Sequence, residues 1–166
     1  MSSRFSCIYA AIRGIIYGMK TLILYGSTGG NTEFVARMIQ ETLAEQGTQS
    51  DMARVGICSP EEALAYDMII FGSPTYGHGH AERRISKWLW KAKDVDLSSK
   101  KAAVFGLGDD KYDNDYNIES ATILTDFLVN RGAEIIHEPL KINKSPIPQG
   151  RKITDWATEL HNKIHS

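Results

Sequence analysis

From Lys20 onward, short apolar runs alternate with stretches whose apolar residues recur at helical spacing. Thr21–Tyr25, Met68–Phe71 and Ala102–Phe105 read as strands, the latter two as the unbroken apolar runs typical of parallel strands buried on both faces. Asp51–Val55 and Ala133–Ile136 supply two more strands, the last continuing past Pro139 as an edge. Between them, Val35, Ile39 and Leu43 repeat every four residues, widened by Phe34 and Met38, and predict a helix over Glu33–Gln46 that Gly47 stops. Ser59-Pro60-Glu61-Glu62 is a helix start, with a capping serine, an early proline and acids near the positive end of the dipole. Further helices are expected over Arg83–Ala92 (Ile85, Trp88, Leu89 inward), over Glu119–Asn130 (Ala121, Leu124, Leu128 inward) and along Ile153, Trp156, Ala157, Leu160 and Ile164. Trp88 and Trp156 fall on these inward stripes and read as core. Five strands alternating with helices predict an α/β fold, a three-layer, doubly wound, five-stranded parallel sheet, without repeats or a domain linker.

Size and composition agree with that reading. At 166 residues, 42% hydrophobic and 23% charged, the chain suits one soluble globular domain with a real core. Its net charge of −1 does not suggest a nucleic-acid surface. Cys7 and Cys58 have no paired spacing, so a reducing, cytoplasmic setting is expected. Residues 1–19 differ from the rest: weakly apolar, with Arg4 and Arg13 and no acid. Arg13 breaks the apolar run a signal peptide needs, and the stretch is too short and interrupted to span a membrane. An amphipathic surface anchor fits it, but it reads better as an extension outside the fold, which then occupies residues 20–166.

Three polar loops follow carboxyl ends of strands, the edge where ligands bind in such sheets. The first is Ser27-Thr28-Gly29-Gly30-Asn31-Thr32, leading straight into a helix. Open helix amides and the dipole favour an anion there, hydroxyl and amide side chains add donors, and the glycines allow close approach. It lacks the Gly-Lys-Ser/Thr ending of a P-loop and the G-x-G-x-x-G spacing of a dinucleotide fingerprint. Taken alone it also suits a plain turn with a helix cap. The second loop is Gly72-Ser73-Pro74-Thr75-Tyr76-Gly77-His78-Gly79, and the third Gly106-Leu107-Gly108-Asp109-Asp110-Lys111-Tyr112-Asp113. A phosphate cradle with an aromatic residue in each of the other two loops describes a site for a flat, phosphorylated ring compound.

On these three loops the chain resembles a flavodoxin, from Lys20 nearly to Ile164. The fifth strand has no room for the insertion of long-chain members, so the resemblance implies the short-chain type, strand order 2-1-3-4-5 and FMN as cofactor. It implies that Ser27, Thr28, Gly29, Gly30, Asn31 and Thr32 bind the FMN phosphate and that Tyr76 and Tyr112 flank the ring. Backbone groups of Thr75, Gly77, Leu107 and Asp109 would meet its polar edge, with Tyr116 at the margin and Ser73, Pro74, His78 and Gly108 also among the cofactor-binding residues. Gly77 tolerates a peptide flip toward the ring, and Asp109 would place negative charge near it, with Asp115 further out and Asp110 and Asp113 read as a solvated turn. His78 reads either as an exposed loop histidine or, protonated, as a tuner of the flavin. His78-x-His80 lacks a third metal ligand.

The implied function is a low-potential, single-electron carrier, not an enzyme, moving between semiquinone and hydroquinone for redox partner proteins (a reductase or ferredoxin-accepting enzymes). It would dock transiently at the flavin rim, as a monomer. The near-neutral charge is unusual against that background. An FMN-dependent NAD(P)H:quinone reductase is the alternative, but this chain lacks the insertions that build a nicotinamide site. An FMN domain of a larger reductase is a further reading. A receiver-type signalling domain needs acids where Gly26-Ser27-Thr28 and Gly72-Ser73 stand.

Overall fold

The computed structural model describes residues 18–76, 80–109 and 118–166. Gly77, His78, Asp110, Tyr112, Asp113, Asp115, Tyr116 and nearly all of the expected extension therefore lie outside the described residues. In chain order the elements are β1 (Thr21–Tyr25), α1 (Asn31–Glu45), β2 (Ser50–Arg54), α2 (Pro60–Ala63), β3 (Met68–Tyr76), β4 (His80–Ala81) and α3 (Arg83–Lys91). There follow β5 (Lys101–Gly108), α4 (Glu119–Asn130), β6 (Glu134–Ile135), β7 (Leu140–Asn143), a 3-10 turn (Ile147–Gln149) and α5 (Gly150–Ile164).

The sheet runs β2-β1-β3-β5, with β6 and β7 both on the far side of β5; all these pairings are parallel. Counting β6 and β7 as one interrupted strand, this is the expected 2-1-3-4-5 order. The short β4 turns back antiparallel onto the end of β3.

The pleat divides each apolar run between two cores, because successive side chains point to opposite faces. Leu22, Leu24, Ile69, Phe71, Ala102 and Val104 pack with Ala63, Ile85, Trp88, Ala121 and Leu124 from α2, α3 and α4. Ile23, Tyr25, Met68, Ile70, Ala103 and Phe105 pack on the other face with Val35, Ile39 and Leu43 of α1 and Ile153, Ala157 and Leu160 of α5. Trp88 and Trp156 are core, as expected: Trp88 meets Phe71 edge-on at 5.1 Å and donates its indole N–H to Cys58 O at 2.9 Å.

Several boundaries move by one or two residues, and three differences bear on the site. β3 continues from Phe71 to Tyr76 and β5 from Phe105 to Gly108, pairing Ser73 with Gly106 and Pro74 with Leu107. Much of what reads as loop is thus strand that outruns β1, whose ladder with β3 ends at Tyr25 and Gly72. A proline fits there because, among the described residues, Pro74 has a ladder partner only on the β5 side. The fifth strand does continue past Pro139, but residues 136–139 bulge between β6 and β7, and Trp156 closes the bulge by donating to Glu138 O at 2.7 Å.

At the amino-terminal end, Met19 already packs against the core and the Lys20 amide donates to the Asp67 carboxylate at 2.9 Å. Among the described residues no helix is long and apolar enough to cross a membrane.

Candidate functional site

The first loop leaves β1 at Gly26, whose amide donates to Gly72 O at 3.1 Å. There is no room for a side chain at Gly26: a Cβ would fall 2.7 Å from Ile85 Cγ1 and 2.9 Å from Glu82 Oε2. The loop therefore lies against the start of α3. Ser27 is buried and its Oγ accepts from the Gly30 amide at 3.1 Å. Gly30 sits at φ 90°, in the left-handed region that glycine occupies at little cost, and is the N-cap of α1.

No side chain caps α1, and Phe34 is the first of its amides to reach a helix carbonyl, Gly30 O at 2.9 Å. The first-turn amides of Asn31, Thr32 and Glu33 thus have no intrahelical acceptor. The next two helices are different. Ser59 and Glu62 form a capping box on α2, and the buried Glu82 accepts from the Arg84 and Ile85 amides on α3. At α1 the equivalent donors have no acceptor among the described residues and stand behind a loop of Ser, Thr and Gly, the donor set an anion requires.

Glu33, in the first turn of α1, would by itself repel such an anion. It is ion-paired to Arg37 at 2.7 Å and also to Arg54. Hydrogen bonds from Arg37 and then Arg54 hold its carboxyl below the usual range and counter its charge. Arg54 lies over the Tyr25 ring, 5.8 Å from its centroid.

The second loop is tied down from below. Thr75 Oγ1 donates to Ser120 Oγ at 2.8 Å, and Ser120 Oγ donates to Ser73 O at 3.0 Å. The Ser120 amide in turn donates to Thr75 Oγ1 at 3.3 Å, while Ser73 Oγ donates to Pro74 O. This leaves Tyr76 at the end of β3 with 43% of its surface exposed.

In the third loop the two glycines serve packing. A Cβ on Gly106 would fall 2.8 Å from Ala121 Cβ, and one on Gly108 would fall 3.0 Å from Ile118 Cδ1. Ile118 is buried at φ 48°, an unusual backbone for a β-branched residue, held there by the core it plugs. Leu107 is buried, so only its backbone can serve a ligand. Gly108 O is already used by the Lys144 amide at 2.7 Å. Asp109 stands half-buried just beyond the strand.

The three segments share one rim. Gly26 bonds Gly72, and Thr75 Oγ1 lies 3.4 Å from the Cβ position of Gly108. Ser27 to Thr32, Ser73 to Tyr76, and Leu107 to Asp109 are therefore neighbours across the carboxyl edge of β1, β3 and β5. Sequence reasoning overlooked Arg54, Glu82, Ile118 and Ser120. Only Glu82 carried a signal, an acid directly before a helix.

Thr28 also lines a hollow of about 500 Å³ with Glu82, Arg83, Arg84 and Lys87, so cations approach a loop that contains none. Among the described residues no group of three His, Cys, Asp or Glu could hold a metal.

A doubly wound α/β domain with an uncapped helix start at the point where its strand order reverses has the layout of nucleotide-binding domains. Comparison with known proteins narrows the class. The flavodoxin family model matches residues 23–152. Flavodoxin 1 of Escherichia coli is 32% identical over 116 residues, covering 70% of this chain, and this chain spans only 65% of that protein's length. The flavodoxin of Maridesulfovibrio salexigens is 30% identical over 148 residues, 87% of this chain and 99% of that protein. Among solved structures, oxidised flavodoxin 2 of Bacillus cereus superposes with a TM-score of 0.77 at 35% identity, over 88% of this chain and 97% of that one. The chain belongs to the flavodoxin family, whose members are FMN-binding electron-transfer proteins.

Proposed function

We propose that this chain holds FMN at the shared rim and passes single electrons between redox partner proteins. The observation that supports it most is the uncapped start of α1 behind Ser27–Thr32, where neutral donors are left for a phosphate. The residues present fit the cofactor: glycine where the backbone must approach, hydroxyls beside it, and a countered Glu33 instead of a bare one.

In this reading Ser27, Thr28, Gly29, Gly30, Asn31 and Thr32 bind the phosphate, and Tyr76 and Tyr112 flank the ring. Backbone groups of Thr75, Gly77, Leu107 and Asp109 pair with its polar edge, with Ser73, Pro74, His78, Gly108 and Tyr116 completing the wall. Bound FMN supplies chemistry the polypeptide lacks, acceptance and release of one electron at a time. The chain's own contribution is orientation and electrostatics. The Ser120–Thr75–Ser73 hydrogen bonds fix the end of β3, and Asp109 sets negative charge at the same rim.

Residues 20–166 form the binding domain and residues 1–19 precede it as an extension. We read the protein as a cytoplasmic monomer that docks transiently at the flavin rim. The test is titration of the purified protein with FMN, followed by absorption spectra through stepwise reduction. The expected result is one FMN per chain reduced in two resolved one-electron steps. Protein that takes up no FMN overturns the reading.

A further inference from the structure

We infer that the exposed face of α3 is a docking surface for a protein partner with an acidic surface. Five of the chain's 19 basic residues and none of its 20 acidic ones fall within Arg83–Lys93, leaving 14 basic against 20 acidic for the rest. The buried side of the helix is Ile85 and Trp88, with Ala92 just past its end. Arg83, Arg84, Lys87, Trp90, Lys91 and Lys93 are all exposed. Among the described residues no carboxylate stands within ion-pair distance of any of these five cations.

Helix stability does not account for this pattern. Arg83, Lys87 and Lys91 are spaced four apart, so like charges stack along one stripe and weaken the helix. Arg83 and Arg84 occupy its first two positions, the end of the dipole that disfavours cations. Glu82, which could have neutralised them, is buried and holds the Arg84 and Ile85 amides instead. The arrangement costs local stability, and an external acidic surface would offset that.

The composition also suits a protein interface better than a merely solvated face. Trp90 is 68% exposed, with the Lys93 ammonium 5.1 Å from its ring centroid, and tryptophan and arginine are the side chains that anchor interfaces. One aromatic on a nine-residue helix is little apolar surface for a membrane. The face is also well placed for electron exchange: Thr28 of the first loop shares with Arg83, Arg84 and Lys87 a hollow that the buried Glu82 also lines. That the partner is a redox protein rests on the proposed electron-carrier function; that it is acidic rests on the helix alone.

The test uses the full chain, isotopically labelled, titrated by NMR with cytochrome b5 as an acidic protein probe and cytochrome c as a basic one. Amide shifts confined to Arg83–Lys93 with cytochrome b5, and abolished at high salt, are expected. Trp90→Ala and Lys91→Glu, both at exposed positions, should weaken that binding by about tenfold each. No shifts on α3, or equal shifts with cytochrome c, overturn the inference. So does tighter binding to a 20-base-pair DNA duplex or to phosphatidylserine vesicles, which would make the surface one for nucleic acid or membrane. FMN uptake, measured on the same samples, reports on the electron-carrier reading separately.

Discussion

Phe105 lies flat across Gly72: a Cβ built on that glycine falls 2.0 Å from the ring's Cζ. The two residues are register partners on β5 and β3, so the clash cannot be relieved by sliding one strand past the other. Gly72 is also where β1 ends and where Gly26 of the first loop anchors. Gly72→Ala should therefore destabilise the protein by about 1–3 kcal/mol, or more if the ring cannot turn. Urea unfolding measures this, and Phe105→Leu in the same background should recover part of the loss.

The cradle depends on two adjacent devices, each tested by one substitution. Ser27→Ala removes the acceptor for the Gly30 amide and should cost about 0.5–1.5 kcal/mol of urea stability, the worth of one hydrogen bond, and weaken FMN binding by up to about tenfold as the loop loosens. Gly30→Ala forces a side chain into φ 90° and should cost about 1–2 kcal/mol of stability as well as affinity. Fluorescence quenching of FMN gives the affinities and unfolding of the apoprotein the stabilities.

Arg54 acts on the cradle through Glu33. Arg54→Ala leaves that carboxylate with Arg37 alone and should reduce FMN affinity about two- to fivefold, more at low salt than at high. Glu33→Gln in the same protein should restore it, because the uncountered charge is then gone. If the double variant binds no better than Arg54→Ala, Arg54 acts by another route.

His137 makes stability depend on pH. It is buried and stacked on Trp156, with ring centroids 5.2 Å apart. Burial first, then the Lys163 ammonium 2.9 Å from Nδ1, push its pKa below the ordinary imidazole value, against the weaker opposite pull of Glu159. The unfolded chain then binds the proton more readily than the folded one. The neutral-histidine contribution is fully present above about pH 6.5, the unfolded value, and is lost as pH falls below it. His137→Phe, which keeps the stacking and removes the titration, should flatten the urea midpoint between pH 7 and pH 5.

Legibility followed the range of the interaction responsible. The Glu119–Asn130 helix has the expected bounds, because its inward stripe of Ala121, Leu124 and Leu128 is a local, periodic signal. Ser59-Pro60-Glu61-Glu62 folds as the capping box it spells, since a cap is written within four residues. The first loop likewise announces its shape through Ser27, Gly29 and Gly30.

The sequence by itself determined most of the strands and helices, their order along the chain and the three polar stretches that follow strand ends. It could do so because hydrophobic period and turn chemistry act between residues near in sequence. Tertiary structure alone decided that Gly72, Gly106 and Gly108 are glycines of strand packing, made room for by Phe105, Ala121 and Ile118. It also decided that Arg54 counters Glu33 and that Ser120 ties Thr75 to Ser73. The Arg54, Thr75 and Ser73 contacts join residues from 21 to 47 positions apart, and no local pattern encodes a partner that only the folded sheet brings near.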